Sequence, residues 1–560
     1  MKTKSFKDTV HGYIQVEEPY WRIIDTAEFQ RLKWIEQTSY RVLYPSARHD
    51  RFIHSIGTYH LGQMAFQGFL NNCQSLGLES QCIQKYRTSF LSACLLHDIG
   101  HAPFSHTCED LYNYRHNVSN IDSKLNVELL ELINACFDDN EAKFFHKDYR
   151  HILVSSDGIC KAPSEHEVMS AIIVLKNKAL FWEGFQNSSG EKPMLDLLIR
   201  SILGCAYGVN RGEVNEAIRE KGIKNCLIRL LNSSTVDVDK LDYIARDTLM
   251  SGYDSIILDN ARLLNSLSYV IKEGIYYPAF NKGALSVISN VIEAKNAQAK
   301  WIVNHPIVIY EFYLLRKSIG ISLRELYINS FSNNSNNITF DDFLSDVFSS
   351  KSISKEPNRL GSLELVLLSD MDLLCFMKKF IDISDVREYF ERDQRKSPIW
   401  KSHEEYKYCL RKEENTIIVA DFFRPLVVYF NQIEELSHPR LIDEAFYQEI
   451  STQDLVGKEA IVNILDALKD YCVKHQKEFN FVILSSKGKF STDINGERTY
   501  IRFGVEEDDF IDLQSLLGER KRNTHKNYDF FYLYSKSKIE VKSFLEDMLK
   551  NAKNKQATYV

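Results

Sequence analysis

The stretch FLSACLLHDIGHAPFSH (residues 90–106) joins an apolar run to a segment crowded with imidazoles and a carboxylate. Phe90, Ala93, Cys94 and His97 recur at i, i+3, i+4 and i+7, the spacing of one helix face, so the run predicts a buried helix ending near His97. HDIGHAPFSH (97–106) then gathers His97, Asp98, His101 and His106 at that end. Two readings are open at this point. Each histidine is a satisfied polar residue after a core helix, or the group is a metal-centred active site. Consecutive helical residues point about 100° apart, so His97 and Asp98 can share an ion only if ligands from elsewhere complete its shell. His54, in RFIHSIG (51–57), and Asp239, in VDVDKLDY (236–243), are the candidates.

Outward from this segment, helical spacing dominates from about residue 21 to 320, and the first half reads all-α. NSFSNNSNN (329–337) is polar and turn-prone, and marks a domain boundary or a long surface insertion. Asp341 and Asp342 before Phe343, Leu344 and Val347 predict a new helix start. Beyond residue 400, five segments rich in β-branched and aromatic residues read as strands: TIIVADFF (416–423), PLVVYF (425–430), FNFVILSS (479–486), TYIRFGV (499–505) and DFFYLYS (529–535). Among them lies an amphipathic helix with Ile461, Ile464, Leu465, Leu468 and Cys472 on one face. The expectation is a mainly α chain, with an all-helical core over 1–325 and a smaller helical and α+β region over 326–560.

With 44% apolar and 26% charged residues over 560 positions, the composition is that of ordinary globular domains. The net charge of -7 gives no whole-chain attraction to nucleic acid or membrane. An anionic substrate must therefore meet a local basic pocket, which favours a small phosphorylated ligand over a long polyanion. GERKRNTHK (518–526), a basic stretch in the C-terminal part, reads as a solvated loop, with an allosteric nucleotide or nucleic-acid contact as the less favoured alternative. Eleven scattered cysteines, odd in number and without a C-x-x-C pair, argue against a disulfide framework or zinc ribbon and point to a reducing cytoplasm. No apolar run approaches the roughly 18–20 residues that span a bilayer. Phosphate-loop, dinucleotide, nucleophile-elbow and H-E-x-x-H motifs are all missing, so the mechanisms they signal lose their usual sequence support.

RFIHS, HDIGHAPFSH and DVDKLDYIARD (237–247), taken in order, resemble the HD-domain phosphohydrolases, and specifically their deoxynucleoside triphosphate triphosphohydrolase branch. That branch includes bacterial dGTPases and the mammalian dNTPase that joins a sterile-alpha-motif to an HD domain. DTVHGYIQV (8–16), RIIDTAEFQRLKWIEQ (22–37) and SEHE (164–167) extend the resemblance over about the first 260 residues.

The resemblance implies that His54, His97, Asp98 and Asp239 ligate a divalent metal, with magnesium, manganese, iron and zinc all compatible with such donors. It implies that His106 and His101 face the substrate phosphates, with His106 assisting departure of the 5′ oxygen. Glu109 and His166 match a relay that orients His106, although the family usually carries aspartate where Glu109 stands. Arg51 and Lys240 match phosphate-binding cations. Tyr243 and Asp247 match sugar contacts, as does Gln37, and Tyr310 resembles a base-stacking tyrosine. The implied reaction is hydrolysis of a nucleoside triphosphate to nucleoside and inorganic triphosphate. The implied assembly is a homo-oligomer with an activating nucleotide. Two alternatives stay open: an HD phosphodiesterase acting on cyclic nucleotides, alarmones or single-stranded nucleic acid, and a nucleotide-sensing protein without turnover.

Overall fold

The computed structural model describes residues 2–38, 40–113, 122–154, 162–187, 192–208, 216–233, 236–253, 258–331, 338–432, 440–452, 457–485, 499–504, 509–517 and 530–558. The chain is mainly helical, with small sheets. It forms two compact units: 1–298 with 327–373 and 491–521, and 299–326 with 374–490 and 522–560. This differs from a single cut at 325/326, because two later segments return to the first unit.

In the first unit, strands Thr3–Asp8 and Gly12–Glu17 form an antiparallel hairpin. Asp8 Oδ1 accepts from Val10 N at 2.7 Å and His11 N at 2.6 Å, which folds the turn locally. The long helix Arg51–Ser75 starts at Asp50, whose side chain accepts from Ile53 N. It packs against helices Arg87–Leu96 and Val238–Ser251. Every residue from Ser89 to Leu96 is buried, as expected for a helix surrounded by others. The helix Arg87–Leu96 stops where the apolar spacing stops, with His97 at its C-cap.

The first half is not all helix. Strands Leu267–Lys272 and Ile275–Asn281 form a second hairpin. Tyr500–Arg502 then adds parallel to Ile275–Asn281 and pairs with Phe510–Asp512 on its other side. The TYIRFGV strand thus joins the first unit rather than the C-terminal module. Tyr500 buries against Val270 and Ala279, and Arg502 donates to Tyr269 O at 3.0 Å. The helix Phe340–Val347 begins at its N-cap Thr339, beside the aspartates that predicted it. NSFSNNSNN lies outside the described residues from 332 on.

In the second unit, Phe481–Ser485 and Phe531–Ser535 pair antiparallel at the centre of a four-stranded sheet, flanked by Leu441–Ile442 and Ser397–Pro398. Helix Lys458–His475 buries Ile461, Ile464, Leu465, Leu468 and Cys472 together, as its spacing requires. TIIVADFF and PLVVYF are not strands: both lie in the helix Glu413–Gln432, which contains Pro425. Its buried residues Thr416, Val419, Phe423, Leu426, Val427 and Phe430 follow helical spacing. Periodicity here overrides the β-branched and aromatic composition that suggested strands. GERKRNTHK lies outside the described residues from 518 on. The described cysteines are free thiols. No helix among the described residues is long and apolar enough to cross a membrane.

Candidate metal centre

Three helices of the first unit bring the predicted ligands together. His54 lies in the first turn of Arg51–Ser75, His97 and Asp98 follow Arg87–Leu96, and Asp239 lies in the first turn of Val238–Ser251. His54 Nε2 is 3.0 Å from Asp239 Oδ1 and 3.5 Å from Asp98 Oδ2. His97 Nε2 is 3.4 Å from both Asp98 Oδ1 and Asp239 Oδ1.

The hydrogen bonds behind these atoms decide what they offer. A carbonyl only accepts, so His97 Nδ1–H donates to Cys94 O at 3.0 Å and leaves a lone pair on Nε2. That Nε2 is buried without a hydrogen-bond partner. His54 Nδ1–H likewise donates to Asp242 Oδ2 at 2.7 Å, turning its other nitrogen to the cluster. Two imidazole nitrogens and two carboxylates therefore converge, an arrangement in which a bound cation can take the place of a proton on His54. Burial opposes a charge on His54, yet Asp239 and Asp242 outweigh it and raise its pKa to about 9. Burial is also outweighed at Asp98, where His97, Arg51 and His101 hold the carboxyl well below the usual range. Donors sharing one ion at about 2.1 Å lie about 3.0–3.4 Å apart in octahedral or tetrahedral geometry. His54, His97 and Asp98 lie close enough to share a divalent ion, and Asp239 Oδ1 stands within reach of both histidines.

Behind the cluster stands a charged network that the sequence reading missed. Asp242 accepts from His54, from His11 at 2.6 Å and from Arg246 through two bonds of 2.8 and 2.9 Å. Arg246 also donates to Asp8 at 2.7 Å. Against burial, Arg246 and the two histidines hold the Asp242 carboxyl well below the usual range. Its signal was present: Asp242 is three residues after Asp239, on the neighbouring turn of one helix. Gly57 is what lets this network pass, since a Cβ there would stand 2.0 Å from Asp242 Oδ1.

Beside the cluster, Glu109 joins two histidines. Its Oε2 is 2.6 Å from His106 Nδ1, and its Oε1 is 2.6 Å from His166 Nδ1. The glutamate side chain thus reaches both imidazoles. The His106 side chain is 59% exposed, which opens it to a ligand. His101 is buried, stacked on His166 at 4.0 Å and 3.2 Å from Asp98 Oδ1. Burial, with Arg51 and His166 nearby, pushes its pKa well below the ordinary value.

The predicted substrate residues are more engaged than the sequence suggested. Arg51 donates to Asp98 Oδ2 at 2.8 Å, Ser105 Oγ at 3.0 Å and Gln37 O at 3.3 Å. Lys240 is tied to Ser233 O and Asp237 Oδ2 at 2.7 and 2.6 Å. Asp247 holds His49 and Gln298, each at 2.6 Å. Tyr243 is half-buried on the same helix. Gln37 is buried with Oε1 unpartnered. Tyr310 belongs to the second unit's core: it is 3% exposed, stacks on Tyr534 at 4.7 Å and donates to Glu388 at 2.5 Å.

No family model matches the chain. An uncharacterized protein of Mycoplasma genitalium is 26% identical over 296 residues, covering 52% of this chain and 54% of that protein. An uncharacterized protein of Bacillus subtilis is 32% identical over 161 residues, 27% of this chain and 35% of that protein. The deoxynucleoside triphosphate triphosphohydrolase SAMHD1 of Xenopus laevis is 42% identical over 108 residues, 18% of this chain and 16% of that protein. These matches support the HD-domain superfamily. The chain spans about half the length of the Mycoplasma relative, and less of the other two.

Proposed function

We propose that the chain is a metal-dependent phosphohydrolase that converts deoxynucleoside or nucleoside triphosphates to nucleoside and inorganic triphosphate. The observation that carries this reading is the convergence of His54, His97, Asp98 and Asp239 beside the exposed, carboxylate-held His106. The likeness to SAMHD1 over part of the chain supports the substrate class.

A divalent cation held by those four residues would supply Lewis acidity toward water and a phosphoryl oxygen. The chain's own groups supply the rest. Asp98 is fixed by Arg51, whose guanidinium places positive charge beside the cluster. Arg51 and Lys240 are proposed to meet the phosphates, each exchanging a present partner for a phosphate oxygen. Gln37, with its buried unpartnered oxygen, and Tyr243 are the proposed sugar contacts; Asp247 is proposed to join them while orienting His49. In the reaction a water oxygen bonds to the α-phosphorus and gives up one proton to solvent, while the bond from that phosphorus to the 5′ oxygen breaks. The leaving oxygen takes a proton from His106, which Glu109 orients through Nδ1.

The test is a product-resolved assay with each triphosphate and with Mg²⁺, Mn²⁺ or Fe²⁺ in turn. Inorganic triphosphate that disappears in Asp98→Ala supports the reading. Products limited to pyrophosphate or orthophosphate contradict it.

A further inference from the structure

Phe104 and Ser105, in the turn of HAPFSH, have φ angles of 54° and 51°. Neither is glycine, and such backbone persists only where the surroundings impose it. Two buried polar side chains do so here. Asp370, 3% exposed, accepts from Phe104 N at 2.6 Å through Oδ1 and from Glu36 N at 2.8 Å through Oδ2. Arg31, 2% exposed, donates to Ile99 O at 3.1 Å, His101 O at 2.7 Å and Leu368 O at 2.7 Å.

The two side chains form a reciprocal staple. Arg31 holds Leu368, just before Asp370, and Asp370 holds Glu36, in the segment after Arg31. The anchoring segment is itself fixed, with Leu368 N donating to Ser352 O and Ser369 N to Asp372 Oδ2, each at 2.8 Å. The turn thus held carries the groups next to the reaction centre. Ser105 Oγ donates to Glu36 O at 2.6 Å and accepts from Arg51 Nε at 3.0 Å. His106 follows it directly.

We propose that Asp370, with Arg31 as its counterpart, is a positioning residue of this site. It imposes the left-handed turn and so sets where Ser105 and His106 stand relative to Asp98 and Glu109. The inference rests on the reading of His106 as the proton-transfer group and deepens it. Asp370 bonds none of the four metal ligands, so its removal disturbs proton transfer while leaving the metal donors in place.

The test compares Asp370→Asn with wild type for bound divalent metal, for kcat and KM of triphosphate release, and for diethyl pyrocarbonate modification of His106 against the exposed His151. The amide turns one acceptor into a donor facing a backbone N–H. Expected is unchanged metal content, a kcat lowered about 10- to 100-fold with KM nearly unchanged, and an altered His106 rate with His151 unaffected. An unchanged His106 rate overturns the proposal, as does activity lost only in proportion to metal lost. Arg31→Lys, which removes the fork, gives the same readouts if Asp370→Asn does not fold. Wild-type protein that releases no triphosphate contradicts the proposed function, whereas the His106 modification rate still judges the positioning.

Discussion

His54 and Asp242 meet at 2.7 Å, Nδ1 to Oδ2, and this contact fixes which ring nitrogen faces the cluster. Asp242 is in turn held by Arg246 and His11. Asp242→Asn should therefore weaken divalent-metal affinity about 10- to 100-fold without removing a ligand. Competition titration against a fluorescent chelator measures this; an affinity equal to wild type would show that the contact does not prepare His54.

The Glu109–His166 pair predicts a pH dependence. Burial opposes a proton on His166, but Glu109 outweighs it and raises the pKa to about 9. The folded-state value lies above the ordinary one of about 6.5, so the pair's stabilisation is complete below about pH 6.5 and is lost as pH rises through about 9. Glu109→Gln should flatten the fall in stability across that window. Urea unfolding at several pH values checks it, and parallel slopes for the two proteins would refute the coupling.

Two glycines are predicted to be intolerant of alanine for different reasons. At Gly57 a Cβ would stand 2.0 Å from Asp242 Oδ1, and at Gly100 it would stand 2.3 Å from the backbone nitrogen of Ser170. Each alanine should cost at least about 1–3 kcal/mol, the usual penalty of overpacking. Gly57→Ala should also weaken metal binding, because Asp242 must move. Thermal melts with and without metal separate the two cases; a wild-type melting temperature for either variant contradicts this packing.

Legibility followed local periodicity. The helix before His97, the helix carrying Ile461 to Cys472 and the strands 481–485 and 531–535 were all readable, since their spacing and composition agree. Residues 416–430 were not, because their composition argued for strands while burial follows a helical face. The clustering residues His54, His97, Asp98 and Asp239 were readable as residue types in order. What stands behind them was not: Asp370 reaches Phe104, and Asp8 reaches Arg246, across most of the first unit's sequence. Nothing local marks such partners. The engagement of Arg51 by Asp98 and Ser105 was equally invisible, since it depends on where two turns come to rest.

Tyr310 shows where resemblance and packing part. Its ring is covered by Tyr534 and its hydroxyl bonds the buried Glu388. Tyr310→Phe should cost about 1–3 kcal/mol by stranding that carboxylate's partner site, while KM for a nucleotide stays at the wild-type value. Steady-state kinetics beside urea unfolding checks both, and a raised KM at unchanged stability would return Tyr310 to the substrate.

The central claim is that His54, His97, Asp98 and Asp239 hold a divalent ion. Elemental analysis of purified protein, as isolated and after incubation with Mn²⁺ or Fe²⁺ and desalting, tests it most directly when wild type is set beside Asp239→Asn. Retained metal in wild type that is lost from a folded Asp239→Asn is the predicted result. A wild type that retains none of these ions, or a variant that retains as much as wild type, contradicts the account.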